Sequence, residues 1–341
     1  DASRRSVGTQ NGRSLVTDAW RRIRTTPERW VIYSIAAVLI ANVISLTLSP
    51  VKSIGWDGID VGWDTYGLYS ILTYLAFCVV LVVKLRSRRQ IERLIWTIIT
   101  ASVLSSVYGI GQHFGVDFLV SDASPVSRAG LTFGNPIFGP AYLVMTIPLV
   151  FAVIMPYRNR MPAFTHIWIG GGLLATQIAA IVFSQSRGPL IGLIVGILAL
   201  LAIVTWVQGA RHAIRPAAMV LVAIVFATLM NSLPVVNEST SRSLGERVLE
   251  FGPGAAGGTQ NRLWIWDTSL EVFTETPWPD TSKVPDIPDL SMRFLRPIVG
   301  YGPDMFAYAY PLAGDTDYTS QLASHGHNFI VHTAIELGLL G

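Results

Sequence analysis

The sequence predicts an all-α fold, a polytopic bundle of transmembrane helices with a large, partly helical extracytoplasmic loop. Three observations predict it. Hydrophobic residues make up 51% of the 341 residues and charged residues only 14%, with a mean hydropathy of +0.46. Soluble domains carry about a quarter charged residues. The apolar residues gather into runs near the length of about 20 that a spanning helix needs. Basic residues fall in alternate loops between those runs. The net charge of +3 says less than the placement of the charges.

Residues 1–29 form a basic segment with Arg4, Arg5, Arg13, Arg21, Arg22, Arg24 and Arg29. It lacks the short apolar stretch and small-residue cleavage site of a signal peptide. The chain starts on Asp rather than Met, and its last apolar run is short. Both ends read as cut from a longer protein.

Residues 30–233 read as a seven-span membrane bundle, with spans at roughly 30–49, 66–84, 94–112, 135–156, 166–184, 188–207 and 216–233. The basic segment before the first span shares a side with three loops. These hold Lys84, Arg86, Arg88, Arg89 and Arg93, then Arg158 and Arg160, then Arg211 and Arg215. The opposite loops carry Asp57, Asp60, Asp64, Asp117 and Asp122. The excess of Lys and Arg in cytoplasmic loops then places the N-terminus inside and residues 234–324 outside the cytoplasmic membrane. Gly188, Gly192 and Gly196 at four-residue spacing, and Gly170-Gly171-Gly172, read as sites of close helix approach. Cys78, the single cysteine, sits in an apolar run and leaves no intrachain disulfide.

The loop from 234 to 324 is rich in aromatics: Trp264, Trp266, Trp278, Tyr301, Phe306, Tyr308, Tyr310 and Tyr318. Leu263, Trp266, Leu270 and Phe273 fall on one helical stripe and predict an amphipathic helix. The Pro-rich stretch Thr276–Pro297 breaks it. Gly300-Tyr-Gly-Pro303 reads as a turn. Residues 325–341 read as the start of an eighth, truncated span.

Two motifs mislead. Gly252-Pro-Gly-Ala-Ala-Gly257 matches a dinucleotide fingerprint in letters but lacks its strand–turn–helix context. Asn237-Glu-Ser239 matches a glycosylation acceptor, a three-residue pattern that carries little by itself. No metal is expected: His332 is five residues past His327 and falls on another helical face.

Three elements could carry chemistry. Arg187 lies in Ser184-Gln-Ser186-Arg187-Gly188-Pro189, between spans five and six. Arg262 opens the predicted loop helix. His327-Asn328, with His325 beside it, opens the last apolar run. Guanidinium matches phosphate oxygens bidentately and stays charged. Opposite unit charges about 4 Å apart attract by roughly 4 kcal/mol at an effective dielectric near 20. A histidine at a helix N-terminus is disfavoured as imidazolium by the dipole, and a neutral imidazole is what a general base must be. Glu336 reads as structural or proton-sharing.

At these residues the chain resembles the O-antigen ligase and O-antigen polymerase family, membrane glycosyltransferases acting outside the cytoplasmic membrane. The tail follows that family's pattern: His327, polar Asn328, the nine residues Phe329–Leu337, Gly338, two residues, Gly341. Ser186-Arg187-Gly188, Gly134-Asn-Pro136, Arg262 with its Trp-rich helix and Gly300-Tyr-Gly-Pro303 resemble further family elements. The similarity covers roughly 130–341. The stretch Trp278–Pro297 departs from the family's tighter loop.

The resemblance implies that Arg187 and Arg262 hold the diphosphate of an undecaprenyl-type donor and that His327 activates the acceptor hydroxyl. Asn328, Ser186 and His325 would support them. It implies a lipid-diphosphate-linked oligosaccharide as donor and a glycan, lipid A core or protein as acceptor. No nucleotide cofactor, metal or nucleic-acid partner is implied. The alternative is a membrane transporter of a small anion such as inorganic carbon, which should place ionisable residues near the bilayer midplane. A scaffold for envelope assembly would leave the ordered Arg, Arg, His elements without a role.

Overall fold

The computed structural model describes residues 29–59, 67–117, 119, 128–157, 160–233, 258–278, 292–313 and 323–341. The basic segment up to residue 28, the Asn237 tripeptide, the Gly252 stretch, Tyr318 and most of the Pro-rich excursion lie outside these residues.

Among the described residues the regular elements are helical and no strand is formed. The helices are α1 (Arg29–Thr47), α2 (Lys52–Asp57), α3 (Leu68–Lys84), α4 (Arg88–His113), α5 (Phe138–Ile154), α6 (Ala163–Phe183), α7 (Arg187–Gln208) and α8 (Ala210–Asn231). They continue as α9 (Gly258–Glu275), α10 (Arg296–Val299), α11 (Phe306–Ala309) and α12 (Phe329–Leu337). Five of them, α1, α4, α6, α7 and α8, are long and apolar enough to cross a membrane, and α3 and α5 are shorter apolar helices. Each of the seven predicted spans therefore meets a helix, and the fold is an all-α polytopic bundle.

Two boundaries move. α4 starts at Arg88, not near 94, and α8 starts at Ala210, not near 216. Hydropathy finds where a helix becomes apolar, whereas backbone hydrogen bonding continues into polar sequence. Ser87 begins α4 with a reciprocal capping box: its hydroxyl accepts the Gln90 N–H, and the Gln90 side chain accepts the Ser87 N–H at 3.0 Å.

The chain divides into two compact units, one of residues 82–251 and one of residues up to 81 with those from 252 onward. In the first, α6 is the central helix and packs against α8, α4 and α5. Gly170 and Gly171 permit this. A Cβ on Gly170 would lie 2.6 Å from the Met219 sulfur, and one on Gly171 would lie 2.9 Å from Val222. Lipid is as apolar as leucine, so close van der Waals packing of this kind holds membrane helices together. Two buried polar side chains each use one atom across the bundle: Gln177 Nε2 donates to Ser102 Oγ at 2.7 Å, and His166 Nε2 lies 2.9 Å from the Ile154 carbonyl.

The other glycine stripe is corrected. Nothing would meet a Cβ at Gly172, Gly188 or Gly196 within 4 Å, and one at Gly192 would only touch Val144 at an ordinary 3.7 Å. Few residues of α7 are buried, Pro189 and Leu193 among them. Its glycines have no tight neighbour, because four-residue spacing puts residues on one face without supplying a helix to face them.

The second unit surrounds a smaller core of Val272, Tyr301, Met305, Phe306, Ala309, Tyr310 and Ile335. α9 packs on α12, and α1 meets α12 and α10. The buried side of α9 is not the predicted stripe. Ser269 and Val272 are buried, with Ile265 packed against the same core, while Leu263 and Leu270 are exposed. Trp266 and Phe273 border the buried side. The rotation arises because Ser269 counts as polar in any periodicity, yet its hydroxyl is satisfied within the helix by the Ile265 carbonyl at 2.5 Å.

Candidate functional site

The tail motif has a local explanation. Asn328 is the N-cap of α12, its side chain accepting the Ile330 N–H at 3.0 Å. Such a cap stabilises a helix by about 1 kcal/mol. The nine residues Phe329–Leu337 are the helix itself, and Gly338 is its C-cap at φ +63°. A Cβ on Gly338 would come within 2.4 Å of the Ile298 backbone. The polar residue, nine-residue spacer and glycine thus describe one short helix with its two caps. At 1.5 Å per residue it is about 14 Å long, less than a bilayer core.

The Gly300-Tyr-Gly turn closes the other end of this helix. Tyr301 and Gly302 donate their N–H groups to the Ile335 and Glu336 carbonyls at 2.9 and 3.0 Å. Ser45 Oγ gives the Glu336 carbonyl a second donor at 2.7 Å. These carbonyls belong to the last turn, which a helix cannot satisfy itself. Gly300, at φ +70°, must be glycine: a Cβ there would lie 2.1 Å from the Glu336 oxygen.

His327 sits just before the cap, exposed, with φ +48°. A left-handed non-glycine residue costs about 1–2 kcal/mol, and the neighbouring bonds offset it. Its N–H donates to His325 Nδ1 at 3.1 Å. The Gly326 N–H donates to His332 Nδ1 at 3.3 Å, and the Gly326 carbonyl accepts from Trp266 Nε1 at 3.0 Å. The α9 helix is thereby tied to the histidine loop. Arg262 lies one turn before Trp266 on the same face of α9, and it is exposed.

Partial burial, and after it the positive charge of Arg262, hold the His327 imidazole below the ordinary histidine value. The sequence argument had the direction, but the named causes are burial and a neighbouring guanidinium. Arg262, His325, His327 and Asn328 are thus brought into one neighbourhood.

His332 was set aside for lying on another face, and the loop folds back over that face. His332 is 4% exposed and stacks between His325, with centroids 4.2 Å apart, and Phe306, 4.9 Å apart. Its Nε2 lies 3.1 Å from the carboxyl of buried Glu336, one turn on, a contact less well aligned than its length suggests. Arg296 was also missed. It is buried, donates to the Leu48 and Gly300 carbonyls at 3.0 Å, and lies 5.0 Å from the Trp278 ring and 5.6 Å from Tyr301. Its neighbour in sequence is Pro297, and only the surrounding aromatic density could have marked it as a cation–π residue. Burial pushes Tyr301 up to about 12 against the pull of Arg296 and Arg293, keeping its phenol a donor to the Pro277 carbonyl at 2.8 Å.

Arg187 and Ser186 belong to the other unit. Arg187 is half-buried and is the first residue of α7. The positive end of the dipole disfavours a cation there, so the position suits an anion more than it suits the arginine. Ser186 is the N-cap by position, but its side chain makes no capping bond. Its hydroxyl accepts from Arg128 Nη2 at 2.7 Å and donates to the Pro136 carbonyl. Arg128 Nε also donates to the Ser184 carbonyl at 2.9 Å. Arg128 is a residue the sequence reading passed over. It shapes the turn from which Arg187 projects.

Among the described residues, no group of three or more His, Cys, Asp or Glu is placed to hold a metal ion.

Residues 172–279 match the O-antigen ligase family model. The matched stretch runs from α6 into α9 and contains Arg187 and Arg262. The match supports assignment to the O-antigen ligase and polymerase family. No curated protein and no solved structure matches.

Proposed function

From its assignment to the O-antigen ligase and polymerase family, we propose that this chain transfers a glycan from an undecaprenyl-diphosphate-type lipid to an acceptor hydroxyl at the extracytoplasmic face of the inner membrane. The observation that carries this reading is the His327 neighbourhood. An exposed imidazole at the head of the capped helix is biased towards its neutral form, in part by the charge of Arg262.

His327 accepts the proton of the acceptor hydroxyl. The acceptor oxygen attacks the anomeric carbon, forming the new glycosidic bond. The bond from that carbon to the diphosphate oxygen breaks, and the lipid diphosphate leaves with the electron pair. Arg262 offsets the charge growing on the leaving group. Arg187 is assigned the same kind of role from its own helix terminus, where unpaired N–H groups also favour an anion. The diphosphate already activates the sugar, so the step consumes no nucleotide. Removing one such charge-stabilising donor costs about 10²–10³ in rate. The acceptor is a second glycan, lipid A core or a protein.

The test uses the full-length protein in lipid vesicles with a diphosphate-linked oligosaccharide and each acceptor in turn. His327→Ala should lower turnover about 10²–10⁴-fold while folding is kept. A product ladder identifies a polymerase, and a single transfer identifies a ligase. No turnover by the unaltered protein with any pair would remove the transferase reading and bring anion transport forward.

A further inference from the structure

Three consecutive backbone groups ahead of α12 are each held by a different side chain. His332 Nδ1 accepts the Gly326 N–H, Trp266 Nε1 donates to the Gly326 carbonyl, and His325 Nδ1 accepts the His327 N–H. Gly326 itself is close-packed: a Cβ there would lie 3.2 Å from both the His332 backbone nitrogen and the Phe306 ring.

The chemistry of His332 follows from its bonds. A ring nitrogen that accepts carries no proton, so a neutral His332 bears its hydrogen on Nε2, which faces Glu336 Oε1 at 3.1 Å. Burying this polar pair is costly, and well-packed apolar side chains would serve stability as well or better. A phenyl ring would stack equally on Phe306 but could not accept the Gly326 N–H. The slot thus favours an acceptor at Nδ1.

We infer that His332 and Trp266 are positioning residues that clamp the Gly326 peptide and so aim His327. The inference rests on the reading of His327 as the acceptor base. Neither residue is assigned contact with substrate.

The experiment compares His332→Phe, His332→Asn, Trp266→Phe and His327→Ala in the full-length protein in vesicles, using the diphosphate-linked oligosaccharide. Phenylalanine at 332 keeps the stacking ring and removes the acceptor. Asparagine returns an acceptor oxygen near the Nδ1 position. Phenylalanine at 266 keeps an aromatic ring and removes the donor. Displacing a reacting group by about 1 Å costs on the order of 10²-fold. His332→Phe and Trp266→Phe should therefore lower kcat about ten- to a hundredfold with donor KM unchanged, and His332→Asn should recover most of it. The rate of diethyl pyrocarbonate modification at His327, read by peptide mass spectrometry, should change in both phenylalanine variants and return in His332→Asn.

Unaltered kcat and His327 modification in His332→Phe and Trp266→Phe, with His327→Ala inactive, would overturn the clamp and leave the transferase reading standing. An active His327→Ala would remove the base assignment instead, and the modification rates would still decide whether His327 is held. If His332→Phe fails to fold, Trp266→Phe and His332→Asn carry the same comparison.

Discussion

At the scale of single residues, protonation and backbone shape decide what the candidate site can do. His327 is held below the ordinary histidine value first by burial and then by Arg262. A base works while neutral, so a lowered value extends its working range to lower pH. Arg262→Gln removes a positive charge that opposes imidazolium, so the His327 value should rise. The acidic limb of the kcat/KM profile should then move to higher pH, whatever happens to the maximal rate. Gly300 and Gly338 test the backbone argument. Both have positive φ and would place a Cβ within 2.4 Å of backbone atoms. Gly300→Ala and Gly338→Ala should each destabilise by about 1–3 kcal/mol through strain, read as a lower midpoint of thermal unfolding in detergent. His327 and Arg187 could be singled out in the sequence because ionisable residues at the edge of apolar runs are rare, and Arg262 through its place at the start of the loop helix and the family resemblance. His332, Arg128 and Arg296 could not, because their meaning lies in bonds to Gly326, to the Ser184–Ser186 turn and to the Leu48 carbonyl.

Elements add what no residue shows alone. Two glycine clusters of similar appearance behave differently in the folded helices. Gly171 lies against β-branched Val222, which has little room to yield. Gly171→Val should therefore cost about 1–3 kcal/mol or more by overpacking. Gly196→Ala on the open face of α7 should be neutral or stabilise by up to about 1 kcal/mol through helix propensity. Thermal unfolding of the two variants side by side checks the contrast. The α9 helix teaches the same lesson. Its existence was legible from the spacing of Leu263, Trp266, Leu270 and Phe273, but its buried side was not. Ser269 satisfies its own hydroxyl inside the helix and so can take a core position.

At the scale of the whole molecule, orientation across the bilayer is what decides which face carries the chemistry. The proposed orientation, argued from the excess of Lys and Arg in alternate loops, puts the N-terminus in the cytoplasm and α9 outside. In a Cys78→Ser background, Glu275→Cys should react with a membrane-impermeant maleimide in intact cells. Ser6→Cys should react only after the membrane is opened. The reverse pattern would invert the proposed face of the chemistry.

The sequence by itself determined the all-α membrane class and the seven apolar helices, and it named His327, Arg187 and Arg262 as candidates. Composition and apolar run length are properties of the chain, and a bilayer demands them of any spanning helix. Only the tertiary structure decided which glycines are close-packed, which side of α9 is buried, and how the Gly326 peptide is held. Those outcomes depend on groups distant in sequence, such as Trp266 and Gly326 or Ser45 and Glu336. A hydrogen bond between such groups leaves no periodic trace in the chain that makes it.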